Sequence, residues 1–121
     1  STLPGSGSDA GDLMFGDTGN DILLGDNGTI DITTGEVHTN AAGGAGSDSI
    51  FGGVGDDTIF GGGFGDNLVG DGVGGSGNDL IVGDQGSRTA TMIVAEHSAV
   101  VNSSGDDTIS ASSGQDTALG G

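Results

Sequence analysis

A nine-residue period constrains this chain more than any other feature. From Gly16 the sequence reads GDTGNDILL, from Gly43 GGAGSDSIF, from Gly52 GGVGDDTIF, from Gly61 GGGFGDNLV and from Gly74 GGSGNDLIV. NSSGDDTIS follows from Asn102 and ASSGQDTAL from Ala111, and a looser copy, GSDAGDLMF, begins at Gly7. A fixed short period of this kind is the signature of a stacked repeat architecture. Within each unit glycines cluster at positions one, two and four, Asp stands at six, and an aliphatic residue usually stands at eight. The glycines suit a tight turn that needs positive φ. The last three residues suit a short strand, whose alternation sends position eight inward and positions seven and nine outward. Two units then make one coil of 18 residues with strands on opposite walls.

The inward residues are Met14, Leu23, Ile50, Ile59, Leu68, Ile81, Ile109 and Ala118. That is a thin core. Large side chains give roughly 1.5–3 kcal/mol each on burial, but the chain has four Phe, no Trp and no Tyr among 29 glycines. Charge adds to the difficulty: 18 acids face one base, Arg88, for a net charge of −17. Scattered acids at this density would imply disorder. Here they are periodic, which points to a counter-ion instead.

The periodic acids are Asp12, Asp21, Asp48, Asp57, Asp66, Asp79, Asp107 and Asp116. Calcium takes 6–8 oxygen ligands, and a glycine-rich turn exposes carbonyls beside one carboxylate. The same edge of the roll returns every second unit, so paired carboxylates should lie about one coil apart. Asp48 and Asp66 are 18 residues apart, and Asp57 and Asp79 are 22 apart across an extended turn at 71–74. Asp21, Asp107 and Asp116 each have an insert or a chain end on one side. The turns starting at Gly25 and Gly83 put Ile30 and Arg88 at position six, where neither can ligate calcium. Arg88 has two readings: a cation substitute pairing with a neighbouring carboxylate, or a solvated side chain leaving the roll.

These nonapeptides resemble the RTX, or haemolysin-type, calcium-binding repeat, G-G-x-G-x-D-x-U-x. The resemblance implies an all-β fold, a right-handed parallel β-roll (a solenoid), with several calcium ions held between successive turns. It also implies type I secretion from a Gram-negative bacterium and an extracellular or cell-surface location. A longer period lies over the short one. GDTGNDILLGDNG at 16–28 returns as GGSGNDLIVGDQG at 74–86, an offset of 58, with inserts at about 29–42 and 87–101. The second long copy stops partway, at Gly121, so the segment reads as a window on a longer array. Thr29–Thr33 alternates and Gly35 can turn, so the inserts are expected as projecting hairpins; the alternative is an irregular metal-free coil each.

Several functions are disfavoured. No basic patch exists to hold a nucleic-acid backbone. No apolar run approaches the ~20 residues of a membrane span, and no basic leader with an apolar h-region is visible. Cysteine is absent, which removes thiolate metal sites. Gly72-Val73-Gly74-Gly75-Ser76-Gly77 matches G-x-G-x-x-G but opens no helix. His38 and His97 occupy matching places in the inserts and read as surface residues, so no catalytic constellation emerges. Thr89-Ala90-Thr91 is the sole T-x-T, which argues against a flat threonine face for ice. The expected function is a calcium-folded, non-enzymatic module of an adhesin, surface-layer protein or filament. The alternative is the calcium-dependent tail of a secreted enzyme or toxin. Position nine carries Phe15, Leu24, Phe51, Phe60, Val69 and Val82 before Ser110. This outward apolar stripe along both walls is expected to be covered, by the inserts or by a second copy in self-association.

Overall fold

A computed structural model describes residues 2–4, 11–39, 46–88, 93–96 and 106–120. Its strands in chain order are β1 Thr2–Pro4, β2 Leu13–Thr18, β3 Ile22–Leu24, β4 Gly28–Asp31 and β5 Glu36–Thr39. They continue as β6 Ser49–Val54, β7 Thr58–Phe60, β8 Asn67–Asp71 and β9 Leu80–Val82. The last four are β10 Gln85–Arg88, β11 Ile93–Glu96, β12 Thr108–Ser110 and β13 Thr117–Leu119. No helix occurs among the described residues.

The strands form three sheets. One wall of the roll is parallel, in the order β1-β3-β7-β9-β13, and the other is parallel in the order β12-β8-β6-β2. The nonapeptide sets the register directly. Leu23, Ile59, Ile81 and Ala118 stack along the first wall. Met14, Ile50, Leu68 and Ile109 stack along the second. Between the walls Met14, Leu23, Ile50, Ile59, Leu68 and Ile81 form one buried cluster, with Ile109 packed against it. Ala118, in the last coil, is exposed. The fold is therefore the all-β parallel roll that the period implies.

The inserts form the third sheet. β4 and β5 pair as an antiparallel hairpin, Asp31 opposite Glu36, and Gly35 turns the chain with φ 74. β10 and β11 make a second hairpin, and β10 joins β5 antiparallel, with Arg88 opposite Val37. These hairpins do not project as expected. The first lies back on the first wall, because its own apolar residues need burial and that wall offers an apolar outer face, and β10 of the second is joined to it through β5. Val37 and Ile30 pack with Leu24, Phe60, Val82 and Leu80 in a second core cluster.

That packing gives the position-nine stripe the expected cover by an insert on one wall only. On the first wall the position-nine residues Leu24, Phe60 and Val82 are fully buried. On the second wall Phe15 is 54% exposed, while Phe51 and Val69 are half-buried. The Phe15 and Phe51 rings stack with centroids 5.1 Å apart.

Candidate metal centre

The turns between walls put the carboxylates in two ladders. Regular turns need left-handed backbone at position two, where Gly53 and Gly62 have φ near 117 and 116. Along one edge the Asp21 N–H donates to Asp57 Oδ1 at 2.9 Å, Asp57 N–H to Asp79 Oδ1 at 3.0 Å, and Asp79 N–H to Asp116 Oδ1 at 2.9 Å. Along the other, Asp12 N–H donates to Asp48 Oδ1 at 2.7 Å, Asp48 N–H to Asp66 Oδ1 at 2.8 Å, and Asp66 N–H to Asp107 Oδ1 at 2.9 Å. All eight acids picked from the sequence thus stand in these two rows, each bridging one coil to the next.

The inserts do not break the rows, and this changes one expectation. Ile30 and Arg88 do not occupy ligand positions. The turns that begin at Gly25 and Gly83 detour through the hairpins and close at Asp48 and Asp107. A side chain on Gly25 would meet Asp48 Oδ2, and one on Gly83 would meet Asp107 Oδ2. Ile30 packs against the second core cluster. Arg88 is half-buried; its Nη1 donates to Thr58 Oγ1 at 2.7 Å, in a groove also lined by Asp21, Asp57 and Asp79.

The first glycine of each turn shows where the second carboxylate oxygen goes. A Cβ on Gly52 would collide with Asp57 Oδ2 and the Gly70 carbonyl oxygen. On Gly61 it would collide with Asp66 Oδ2 and the Gly83 carbonyl, and on Gly70 it would crowd Asp79 Oδ2 and the Ala111 carbonyl. Each of these turns therefore gathers its own carboxylate oxygen and one carbonyl oxygen of the next coil, at a place kept open by glycine.

These oxygens are poorly satisfied by the protein alone. Oδ2 of Asp57, Asp66 and Asp79 is buried and accepts no hydrogen bond. An unpartnered buried polar group costs roughly 1–3 kcal/mol, and more when charged. Burial, reinforced by neighbouring Asp charges, pushes the Asp66 carboxyl up to about 8 and that of Asp57 to about 6. Burial raises Asp79 and Asp107 as well. An all-oxygen donor set carrying unneutralised negative charge fits a hard cation. Among the described residues no three His, Cys, Asp or Glu side chains converge to hold a metal. Backbone carbonyls must therefore fill much of each shell.

Two features escaped the sequence reading. A second row runs beside the first edge at position five: Asp56 N–H donates to Asn20 Oδ1, Asn78 N–H to Asp56 Oδ1, and Gln115 N–H to Asn78 Oδ1, at 2.8–2.9 Å. Its signal was present, since position five is an amide or acid in those four units. Position-two acids are also buried: Asp26, Asp71 and Asp84. Of the two insert histidines, His38 is exposed and His97 lies outside the described residues.

A parallel roll whose glycine turns stack carboxylate and carbonyl oxygens defines a calcium-binding repeat solenoid. The chain belongs to the family of the RTX calcium-binding nonapeptide repeat, whose profile matches it in four copies, at 6–29, 38–68, 73–89 and 102–121. No curated protein and no solved structure gave a match.

Proposed function

We propose that this chain is a calcium-folded structural and binding segment of a large secreted or surface bacterial protein, of adhesin, surface-layer or filament type, and that it is not an enzyme. The buried Oδ2 atoms of Asp57, Asp66 and Asp79, which accept no hydrogen bond, carry the reading. Bound calcium would supply the missing positive charge there. The position-six carboxylates would bind it with one oxygen while the other ties adjacent coils together. Export then becomes the trigger for folding, because calcium is scarce in the cytosol and abundant outside. The long repeat with its offset of 58 supports an array, and the uncovered stripe of Phe15, Phe51 and Val69 supports lateral contact with a second copy. The rest of the reading frame would decide between this reading and the tail of a secreted enzyme or toxin.

Calcium stoichiometry in variants tests the assignment. Asp57→Ala and Asp66→Ala should each remove a ligand, lower the number of ions bound and raise the calcium midpoint, loosening the neighbouring coils too. Asp31→Ala should change neither: Asp31 is exposed, and its carboxylate only caps the hairpin turn through Thr33 and Thr34 N–H. The same stoichiometry and midpoint in all three variants would contradict the assignment.

A further inference from the structure

Three turns are longer than the regular six residues, and all begin Gly-Asp: Gly25-Asp26, Gly70-Asp71 and Gly83-Asp84. These acids are buried, at 6%, 3% and 1% exposure. Asp17 also follows a first-position glycine, but in a regular turn; its φ is 74 and it is exposed. The backbone explains the contrast. Asp17 is left-handed and its side chain stays exposed, whereas Asp71 lacks positive φ and its side chain is buried.

Asp71 is the informative case. Its Oδ2 accepts from Ser113 N–H at 3.1 Å and from Ser113 Oγ–H at 3.2 Å. Its Oδ1 is buried and accepts no hydrogen bond. Ser113 lies in the turn whose Ala111 carbonyl oxygen faces Asp79 Oδ2 across the Gly70 Cα, and Gly70 is the residue before Asp71. Among the charges that act on Asp79, that of Asp71 is the strongest, and it also acts on Asp57. Asp26 differs, because both of its oxygens hold N–H groups, those of Gly46 and Gly63. Asp26 is tied at both oxygens. Asp71 has one oxygen anchored and one left over.

Building on the calcium reading above, we propose that Asp71 is a further metal ligand: its Oδ1 joins Asp79 Oδ2 and the Ala111 carbonyl oxygen at one cation site between these turns. Ser113 orients it. This site has two carboxylates where a regular turn contributes one. A higher ligand charge tightens calcium binding, so this ion is the last to leave as calcium is withdrawn.

The test is calcium binding to the whole chain by isothermal titration and chelator competition, with Asp17→Asn as the control on the same edge. Asp71→Asn preserves shape and an acceptor for Ser113 but removes the charge. It should weaken the tightest site by about tenfold or more, while Asp17→Asn stays within about twofold of the parent chain. Ser113→Ala, which keeps the charge and the Ser113 N–H bond but removes the hydroxyl bond that helps orient the carboxylate, should weaken the same site by a smaller factor. Terbium(III) lifetimes in light and heavy water should show additional water on the bound ions in Asp71→Asn only. Equal affinities and hydration for Asp71→Asn and Asp17→Asn would overturn the proposal while leaving the calcium reading intact. No calcium binding in the parent chain would remove both. Should Asp71→Asn not fold in saturating calcium, Ser113→Ala decides, and an unchanged tightest site would overturn the proposal.

Discussion

The two walls of the roll are built from the same repeat and meet different fates. On the wall of β3, β7 and β9, the outward residues Leu24, Phe60 and Val82 lie beneath the insert sheet and are fully buried. On the wall of β2, β6 and β8, their counterparts Phe15, Phe51 and Val69 remain open or half-open. The repeat fixes which positions point outward. The inserts fix whether those positions form a second core. A thin solenoid with one aliphatic residue per unit inside thereby gains a second apolar layer on one side only, and its stability should be lopsided.

The largest effect should involve both walls at once, because they share the edge carboxylates. In chelator, the folded roll holds Asp66 at about 8 and Asp57 at about 6, against an ordinary 3.8. A carboxyl whose folded value is raised keeps its full stabilising contribution below the unfolded value and loses it as pH rises through the folded one. Calcium-free roll should therefore gain stability on acidification from above 8 towards 3.8, and Asp66→Asn should flatten the upper part of that window. Circular dichroism against pH in chelator reads this directly. Loss of strand signal on acidification, or an unaltered profile in Asp66→Asn, would break the electrostatic half of the account.

Next in size is a direct contrast between matched positions. With calcium saturating, Phe60→Ala should cost about 3–5 kcal/mol, since it empties a fully packed site between wall and insert sheet. Phe51→Ala at the equivalent place on the bare wall should cost about 1 kcal/mol, chiefly the stacking with Phe15. Equal losses in denaturant titrations would remove the distinction between the walls. Val37→Ala, in the hairpin that covers Phe60, should follow at roughly 1–3 kcal/mol and leave the calcium count unchanged. A changed count would mean that the insert sheet contributes to ion binding as well as to cover.

A small effect on stability should carry the largest effect on assembly. Phe15→Ser combined with Phe51→Ser should cost only about 1–2 kcal/mol, because Phe15 is more than half exposed in the parent. The proposed calcium-dependent self-association, followed by light scattering, should be seen in the parent chain and disappear in this variant. A parent chain that stays monomeric when folded and concentrated would assign the bare wall no role in assembly.

The period made the roll, its inward residues and both carboxylate rows legible, because a single rule repeated in register leaves little freedom. Asp12 and Asp48 were readable as members of the repeat even though they lie 36 residues apart. The detours were not readable. Counting from Gly25 put Ile30 at position six, since spacing along the chain cannot show that a hairpin loops out and returns to complete the turn at Asp48. The insert sheet was half visible: alternation at Thr29–Thr33 announced a hairpin, but only the pairing of β5 with β10 shows two distant inserts making one cover. Asp71 was visible only as the start of an extended turn, because its burial goes with a backbone angle that composition does not reveal.

Calcium-coupled folding is the central claim, and circular dichroism of the whole chain in chelator and then in about millimolar calcium at neutral pH tests it most directly. The account predicts little strand signal in chelator, recovered cooperatively as calcium is added. Full strand signal in chelator, unchanged by calcium, would contradict it.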